Sequence, residues 1–305
     1  MRHRVVLLTL AAVAGGAWAA PRADALAVRW MPRTPRQGSV LQVVIRDSAA
    51  GVAPVVAVEG RLGATPLAFA PDTTGAFLAL GGIAVSARGD VPLRLVVRRA
   101  NGAVHRVTRA VRVTPGAFRM ERLRVAPRFG RAPDSTLAAR IAREAAQARA
   151  VAERSLRTPR LWGGAFTRPR PGRITSGFGH GREFNGAVQS RHMGTDFAGA
   201  PGAPVRAAAC GVVALVADFY LAGNAVYVDH GGGLVTAYFH LSRATVAQGD
   251  TVRAGDLVGR VGATGRVTGP HLHWIARVGG TTVDPTTLLS LPGPMLPAPA
   301  ERCRG

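Results

Sequence analysis

The chain contains no lysine. All 39 of its basic residues are arginine, set against 17 acidic residues, for a net charge of +22. A surface selected for nucleic acid normally mixes arginine forks with lysine point charges, whereas these arginines are scattered along the sequence. Aromatic residues are scarce, at 6%, which removes the interleaved stacking positions of a single-strand binder. The charge suits an anionic partner without naming one, and no nucleic-acid partner is expected. Only Cys210 and Cys303 carry thiols, too few for a cysteine-built structural zinc site; whether they pair is left open. No His-Glu-x-x-His helix occurs, so the usual glutamate base of a zinc protease has no counterpart.

Long hydrophobic runs are also missing. The longest N-terminal one, from Val5 to Ala20, follows the basic start Arg2-His3-Arg4 and ends in Ala17-Trp18-Ala19. It is short for a membrane span, which needs about 20 residues, and the small-x-small ending marks a cleavable signal peptide over residues 1–20. An uncleaved anchor is the alternative. No cysteine follows for lipid attachment, so the chain is expected to be exported, to the periplasm or cell envelope.

What is abundant is apolar material and turn formers: 47% hydrophobic residues, 38 Gly and 21 Pro. Short strands are favoured over long helices. Residues 24–118 alternate in runs such as Val40-Leu41-Gln42-Val43-Val44-Ile45 and Leu93-Arg94-Leu95-Val96-Val97, separated by turn clusters, which predicts an Ig-like β-sandwich. Asn101-Gly102 predicts a hairpin over 98–107 with a type I′ turn. Residues 119–168 read as a linker with a helix at about 135–157, capped by Asp134 or Ser135. Its apolar stripe is thin and alanine-rich, which predicts weak packing and a spacer arm between two β-domains. Residues 169–290 return to strands, and a Pro-rich tail follows at 291–305. The fold class is therefore mainly β.

Six of the eight histidines fall between His180 and His273. In Gly269-Pro270-His271-Leu272-His273 an extended strand sends both imidazoles to one face. Two adjacent imidazoles repel when charged, and a bound cation holds both neutral. His192 and Asp196 are four apart among Gly and Pro residues that disfavour a helix, and the even offset returns both to one face of a strand. In Val235-Thr236-Ala237-Tyr238-Phe239-His240, alternation predicts Tyr238 and His240 on one face. Together these segments offer two neutral nitrogens and one carboxylate, an open set of the catalytic-zinc kind. Ordinary core or surface histidines are the competing reading.

The segments, in this order, resemble the lysostaphin-like (LytM-type) zinc metallopeptidases, which cut peptides in bacterial peptidoglycan. The likeness runs through Ser176-Gly177-Phe178-Gly179, His192-Met193-Gly194-Thr195-Asp196-Phe197 and Gly202-Ala203-Pro204-Val205. It continues through Asp229-His230-Gly231, Tyr238-Phe239-His240-Leu241-Ser242, Gly249-Asp250 and Gly262-Ala263-Thr264-Gly265 to the His-x-His segment. The resemblance implies an antiparallel β metallopeptidase domain of the duplicated hybrid motif type, one Zn2+ held by His192, Asp196 and His273, and His240 and His271 as the catalytic pair. It gives no catalytic role to His180 or His230. Zinc would lower the pKa of water from 15.7 toward about 7. One of His240 and His271 would take the proton and the other would stabilise the oxyanion, in an order left open. Ile275 departs from the pattern, since many relatives carry Glu there; altered local hydrogen bonding with intact chemistry is expected.

Gly231, Gly232 and Gly233 fit either a close approach by an extended peptide or tight turns. The implied partner is peptidoglycan, with cell-wall or divisome proteins beside it. A non-enzymatic exported regulator that activates a cell-wall amidase is the rival function; such relatives tend to lose metal ligands, and this chain keeps them.

Overall fold

Alternating apolar residues in the first half build eight strands: β1 (Leu26–Met31), β2 (Val40–Asp47), β3 (Val55–Leu62), β4 (Thr65–Leu67), β5 (Ala70–Pro71), β6 (Phe77–Gly82), β7 (Asp90–Arg99) and β8 (Val104–Arg112). They form two four-stranded antiparallel sheets, β1-β2-β6-β5 and β4-β3-β7-β8. Leu41, Val43 and Ile45 of β2 share a solvent-free core with Leu93, Leu95 and Val97 of β7, as the period of two requires. The structure, a computed structural model, describes residues 26–47, 53–163 and 165–291. The signal-peptide segment, Cys303 and the tail from residue 292 lie outside them.

The β7–β8 hairpin forms, but its turn differs from the expected one. Gly102 is left-handed at φ +83°, whereas the non-glycine residues with positive φ among the described residues are Asn185 and His240. Asn101 is therefore not left-handed, and a type I′ turn needs positive φ at both central positions. Instead Gly102 N–H closes on the Arg99 carbonyl at 3.0 Å and Arg99 N–H on Ala103 at 2.9 Å. This is a three-residue loop with glycine at its left-handed end.

Strand β9 (Met120–Leu123) leaves the sandwich, and helix α1 (Ser135–Ser155) follows, with the Asp134 carboxylate accepting from Leu137 N–H. The spacer-arm reading of this helix is corrected by the structure. Ala148 and Val151 pack with Tyr227, Ala237, Phe239 and Ile275 in one apolar cluster. Ser155 Oγ and Thr158 Oγ1 donate to Asp229 Oδ1 and Oδ2 at 2.5 and 2.8 Å. The alanine stripe is narrow because the helix lies close against a sheet, where small side chains fit best. Ile275, where the family pattern often has Glu, stands buried in this cluster.

The remaining strands are β10 (Ile174–Ser176), β11 (Gly181–Phe184), β12 (Val188–Arg191), β13 (Thr195–Ala198), β14 (Pro204–Arg206), β15 (Gly211–Phe219), β16 (Gly223–Gly231), β17 (Leu234–Ala244), β18 (Thr251–Val252), β19 (Leu257–Val261), β20 (His271–Val278) and β21 (Thr281–Val283). The large sheet has the order β10-β13-β20-β17-β16-β15-β18, with β14–β19 against β17 and β21 on β20. Its central strands are buried on both faces. Trp274, Tyr238, Leu272 and Phe197 fill one side, and the α1 cluster covers the other. Val40 and Leu80 of the sandwich join the first core beside Val283 and Leu288, and Thr65 and Thr281 hydroxyls meet at 2.6 Å, so the two halves are packed together.

The run Gly231-Gly232-Gly233 does not face a groove. A Cβ on Gly231 (φ +72°) would run into the Pro159 carbonyl, and one on Gly233 would meet Leu156. These glycines make room for the chain leaving α1, which settles the two readings in favour of the tight turn.

His230, on β16, is fully buried. Its Nδ1 donates to the Cys210 carbonyl and its Nε2 lies beside Thr236 Oγ1, both at 2.7 Å. Burial pushes its pKa down to about 4. An unfolded histidine titrates near 6.5, so between about pH 6.5 and 4 the unfolded state binds the extra proton and stability falls on acidification. The full shift is worth roughly 3 kcal/mol. Denaturant unfolding of the metal-free chain is expected to show stability falling from pH 7 to 4.5, with a slope about one proton shallower in His230→Gln; equal slopes would contradict this.

Candidate metal centre

Two strands and a loop bring the predicted ligands together. In the β13–β20 ladder Asp196 lies opposite His273, so one pleat turns both side chains inward. His192 precedes β13, its ring held by Nδ1 donation to the Gly177 carbonyl at 2.7 Å. A carbonyl only accepts, so Nδ1 carries the hydrogen and Nε2 offers its lone pair. That Nε2 lies 3.0 Å from Asp196 Oδ1 and 2.9 Å from His273 Nδ1, and His273 Nδ1 lies 2.6 Å from the same oxygen. All three residues are buried. Gly194 lets this happen: a Cβ there would sit 2.5 Å from the Trp274 carbonyl and 2.7 Å from the His273 ring.

The donor set fits a metal ion. The three donor atoms lie 2.6–3.0 Å apart, inside the roughly 3.3 Å separation that tetrahedral bonds of about 2.0–2.1 Å require, so a bound ion would spread them by less than about 1 Å. Burial works against charge on Asp196, but the His273 and His192 rings outweigh it and hold the carboxyl well below its ordinary range. Burial likewise pushes His273 down to about 4. The centre thus presents an anionic carboxylate and a neutral His273, the states a divalent cation needs, with His192 Nε2 turned toward both.

His240 reaches the centre by a route that alternation did not predict. Tyr238 stays in the core, where its hydroxyl accepts from Ala208 N–H at 2.8 Å. His240, at φ +60°, sits in a bulge where the β16–β17 register shifts between Asn224 and Val226. The extra residue turns its ring to the opposite face, 4.9 Å from the His271 ring and 5.7 Å from that of His273, centroid to centroid. The expectation of a shared face with Tyr238 is therefore corrected. A bulky residue in the left-handed region is rare and costs energy, and such strain collects at functional positions.

His240 Nδ1 donates to the Thr264 carbonyl and His271 Nδ1 to the Gly269 carbonyl, each at 2.8 Å, so in each ring Nε2 is the atom left for water or substrate. Burial, reinforced by the neighbouring His273 and His271 rings, holds the His240 pKa well below its ordinary value. His271 Nε2 lies 3.6 Å from Asp196 Oδ1.

A second layer escaped the sequence reading. Arg182 Nη2 donates to Asp196 Oδ2 at 2.6 Å and to Ser176 Oγ at 2.9 Å, while its Nε donates to Glu121 Oε2 at 3.0 Å. Glu121 also accepts from Ser176 Oγ at 2.7 Å and His180 Nδ1 at 3.0 Å. Burial opposes its charge, but these three donors hold the Glu121 carboxyl below its ordinary value. Glu121 stands on β9, which pairs in parallel with β11, so the segment leaving the sandwich orients a ligand of the centre. Its one sequence signal is an acidic residue standing between Arg119 and Arg122 in a chain poor in acids. A cavity of about 380 Å³ opens beside the centre, lined by Asp196, His271, Ser176 and Arg182 and walled on one side by Glu121, Leu123 and Val125.

An antiparallel sheet that brings a buried, open His-Asp-His donor set to a cavity is the arrangement of a catalytic metal centre, and the sequence match below makes it that of a metallopeptidase. Residues 190–285 match the model described as peptidase family M23, and the chain carries a domain of that family. The DD-carboxypeptidase/endopeptidase Mpg of Neisseria meningitidis serogroup B is 44% identical over 124 residues, which cover 41% of this chain and 28% of that protein. The peptidoglycan DD-endopeptidase ShyA of Vibrio cholerae is 45% identical over 93 residues, 30% of this chain and 22% of that protein. A solved Pseudomonas aeruginosa structure assigned to peptidase M23 is 29% identical, with a TM-score of 0.63 over 84% of this chain and 95% of that one. The chain spans under a third of the length of the curated relatives it matches.

Proposed function

We propose that this chain is an exported zinc metalloendopeptidase that hydrolyses peptide bonds in peptidoglycan stem peptides or their cross-links. The observation that carries the reading is the convergence of His192 Nε2, Asp196 Oδ1 and His273 Nδ1 on one point beside the rings of His240 and His271. The name of the Vibrio cholerae relative, a peptidoglycan DD-endopeptidase, supports the substrate class. The reading takes residues 1–20 as the leader, 24–118 as an Ig-like unit, 119–168 as a linker and 169–290 as the catalytic unit. Among the described residues no helix is long and apolar enough to cross a membrane.

His192, Asp196 and His273 would hold the zinc, which when bound polarises the scissile carbonyl and makes water acidic enough to attack near neutral pH. Arg182 fixes the outer oxygen of Asp196, leaving Oδ1 for the centre. His240, neutral and turned inward by its bulge, accepts the proton of the attacking water at Nε2 and returns it to the leaving amine. His271, which lines the cavity, carries a proton on Nε2 in this reading and donates it in a hydrogen bond to the substrate carbonyl oxygen as negative charge develops there.

Purified peptidoglycan incubated with the zinc-loaded chain is expected to release soluble muropeptides, detected by mass spectrometry. A chelator should stop release and one equivalent of zinc should restore it. No release by the loaded chain, with release on adding a separate amidase, would replace this reading with the regulator.

A further inference from the structure

The cavity beside the centre holds more positive charge than the centre uses. Arg182 is neutralised between Asp196 and Glu121. Arg266 is not: its guanidinium lies over the Phe184 ring, 4.1 Å from Cζ to the centroid, and it meets no carboxylate among the described residues. Phe184 is itself buried, so the ring contact holds the guanidinium in place instead of leaving it free in solvent. Burial, and then the charge of Arg182, draw the Arg266 pKa down to about 10, the mark of a cation held where an anion is wanted. Arg173 lines the same cavity, exposed and likewise without an acidic partner among the described residues. Arg266 also lies five residues before His271, on the segment that closes the cavity wall through Val267, Thr268, Gly269 and Pro270.

We infer that Arg266, assisted by Arg173, forms a carboxylate-binding subsite that selects peptides carrying a free carboxylate next to the scissile amide. The inference rests on the peptidase reading above and names what its substrate must present. A planar guanidinium takes a carboxylate through two parallel hydrogen bonds, which fixes orientation as well as charge. In a partly desolvated cavity such a contact is worth more than on an open surface. A stem peptide has two sources of this group, the α-carboxylate of a terminal residue and the side-chain carboxylate of a diamino diacid.

The test uses three synthetic cross-linked stem-peptide dimers: both carboxylates free, the α-carboxylate amidated, and the side-chain carboxylate amidated. With the zinc-loaded full chain, amidating the recognised carboxylate is expected to lower kcat/KM by about 10- to 100-fold. Which of the two amides does so identifies the source. In Arg266→Gln the preference for free over amidated substrate should shrink to near unity, and Arg266→Lys should recover part of it, with zinc content equal in all three proteins. Equal rates on the three substrates in the wild type would overturn the inference, as would a preference unchanged in Arg266→Gln. Should the wild type cleave none of them, the peptidase reading falls separately. Calorimetric binding of the same peptides then decides the subsite: tighter binding of the free carboxylate, lost in Arg266→Gln, supports it, and equal binding overturns it.

Discussion

Replacing His273 by alanine is expected to empty the centre of zinc and to lower peptidoglycan hydrolysis by at least about 1000-fold, or some 4 kcal/mol of transition-state stabilisation. His273 Nδ1 is within 2.6 Å of Asp196 Oδ1 and 2.9 Å of His192 Nε2, so the truncation removes one of three protein donors. It also leaves Asp196 buried with one hydrogen-bonding neighbour fewer. Two remaining ligands cannot hold a divalent ion against solvent as three do. Metal analysis after dialysis and muropeptide release read the two effects separately. A variant that keeps one zinc per chain and full hydrolysis would place the centre elsewhere.

The second large effect is expected at His240. An asparagine there tolerates the left-handed backbone and can still donate to the Thr264 carbonyl, so His240→Asn preserves the bulge while removing the imidazole. Zinc content should stay at one per chain while kcat falls by about 10²- to 10⁴-fold, the usual worth of a positioned proton acceptor. KM should change little, because a proton acceptor acts on the attacking water and not on the bound peptide. Loss of zinc together with activity would make His240 a structural support of the centre; unchanged kcat would move the base to His271.

The parts of this site that follow a strand's period were readable in advance, and the parts that break it were not. His271 and His273 face one side of β20 because they are two apart, and Asp196 joins them because its strand pairs with theirs in register. His240 defeats the same rule, since a bulge inserts one residue and reverses every face after it. The sandwich core follows from alternation in β2 and β7, whereas its Asn-Gly turn chose a three-residue loop. Helix α1 was visible from Asp134, Leu137 and Ile141, but its docking was not, because an alanine stripe shows its value only against the sheet it covers. The Glu121–Arg182–Asp196 chain joins residues far apart in sequence and matches no local pattern; only topology brings it together.

Zinc-edge X-ray absorption on the full chain loaded with one equivalent of metal tests the central claim most directly. The account predicts two imidazole nitrogens and one carboxylate oxygen at about 2.0–2.2 Å, with the remaining coordination supplied by solvent. A sulfur shell near 2.3 Å, or no zinc retained by the folded chain, would contradict it.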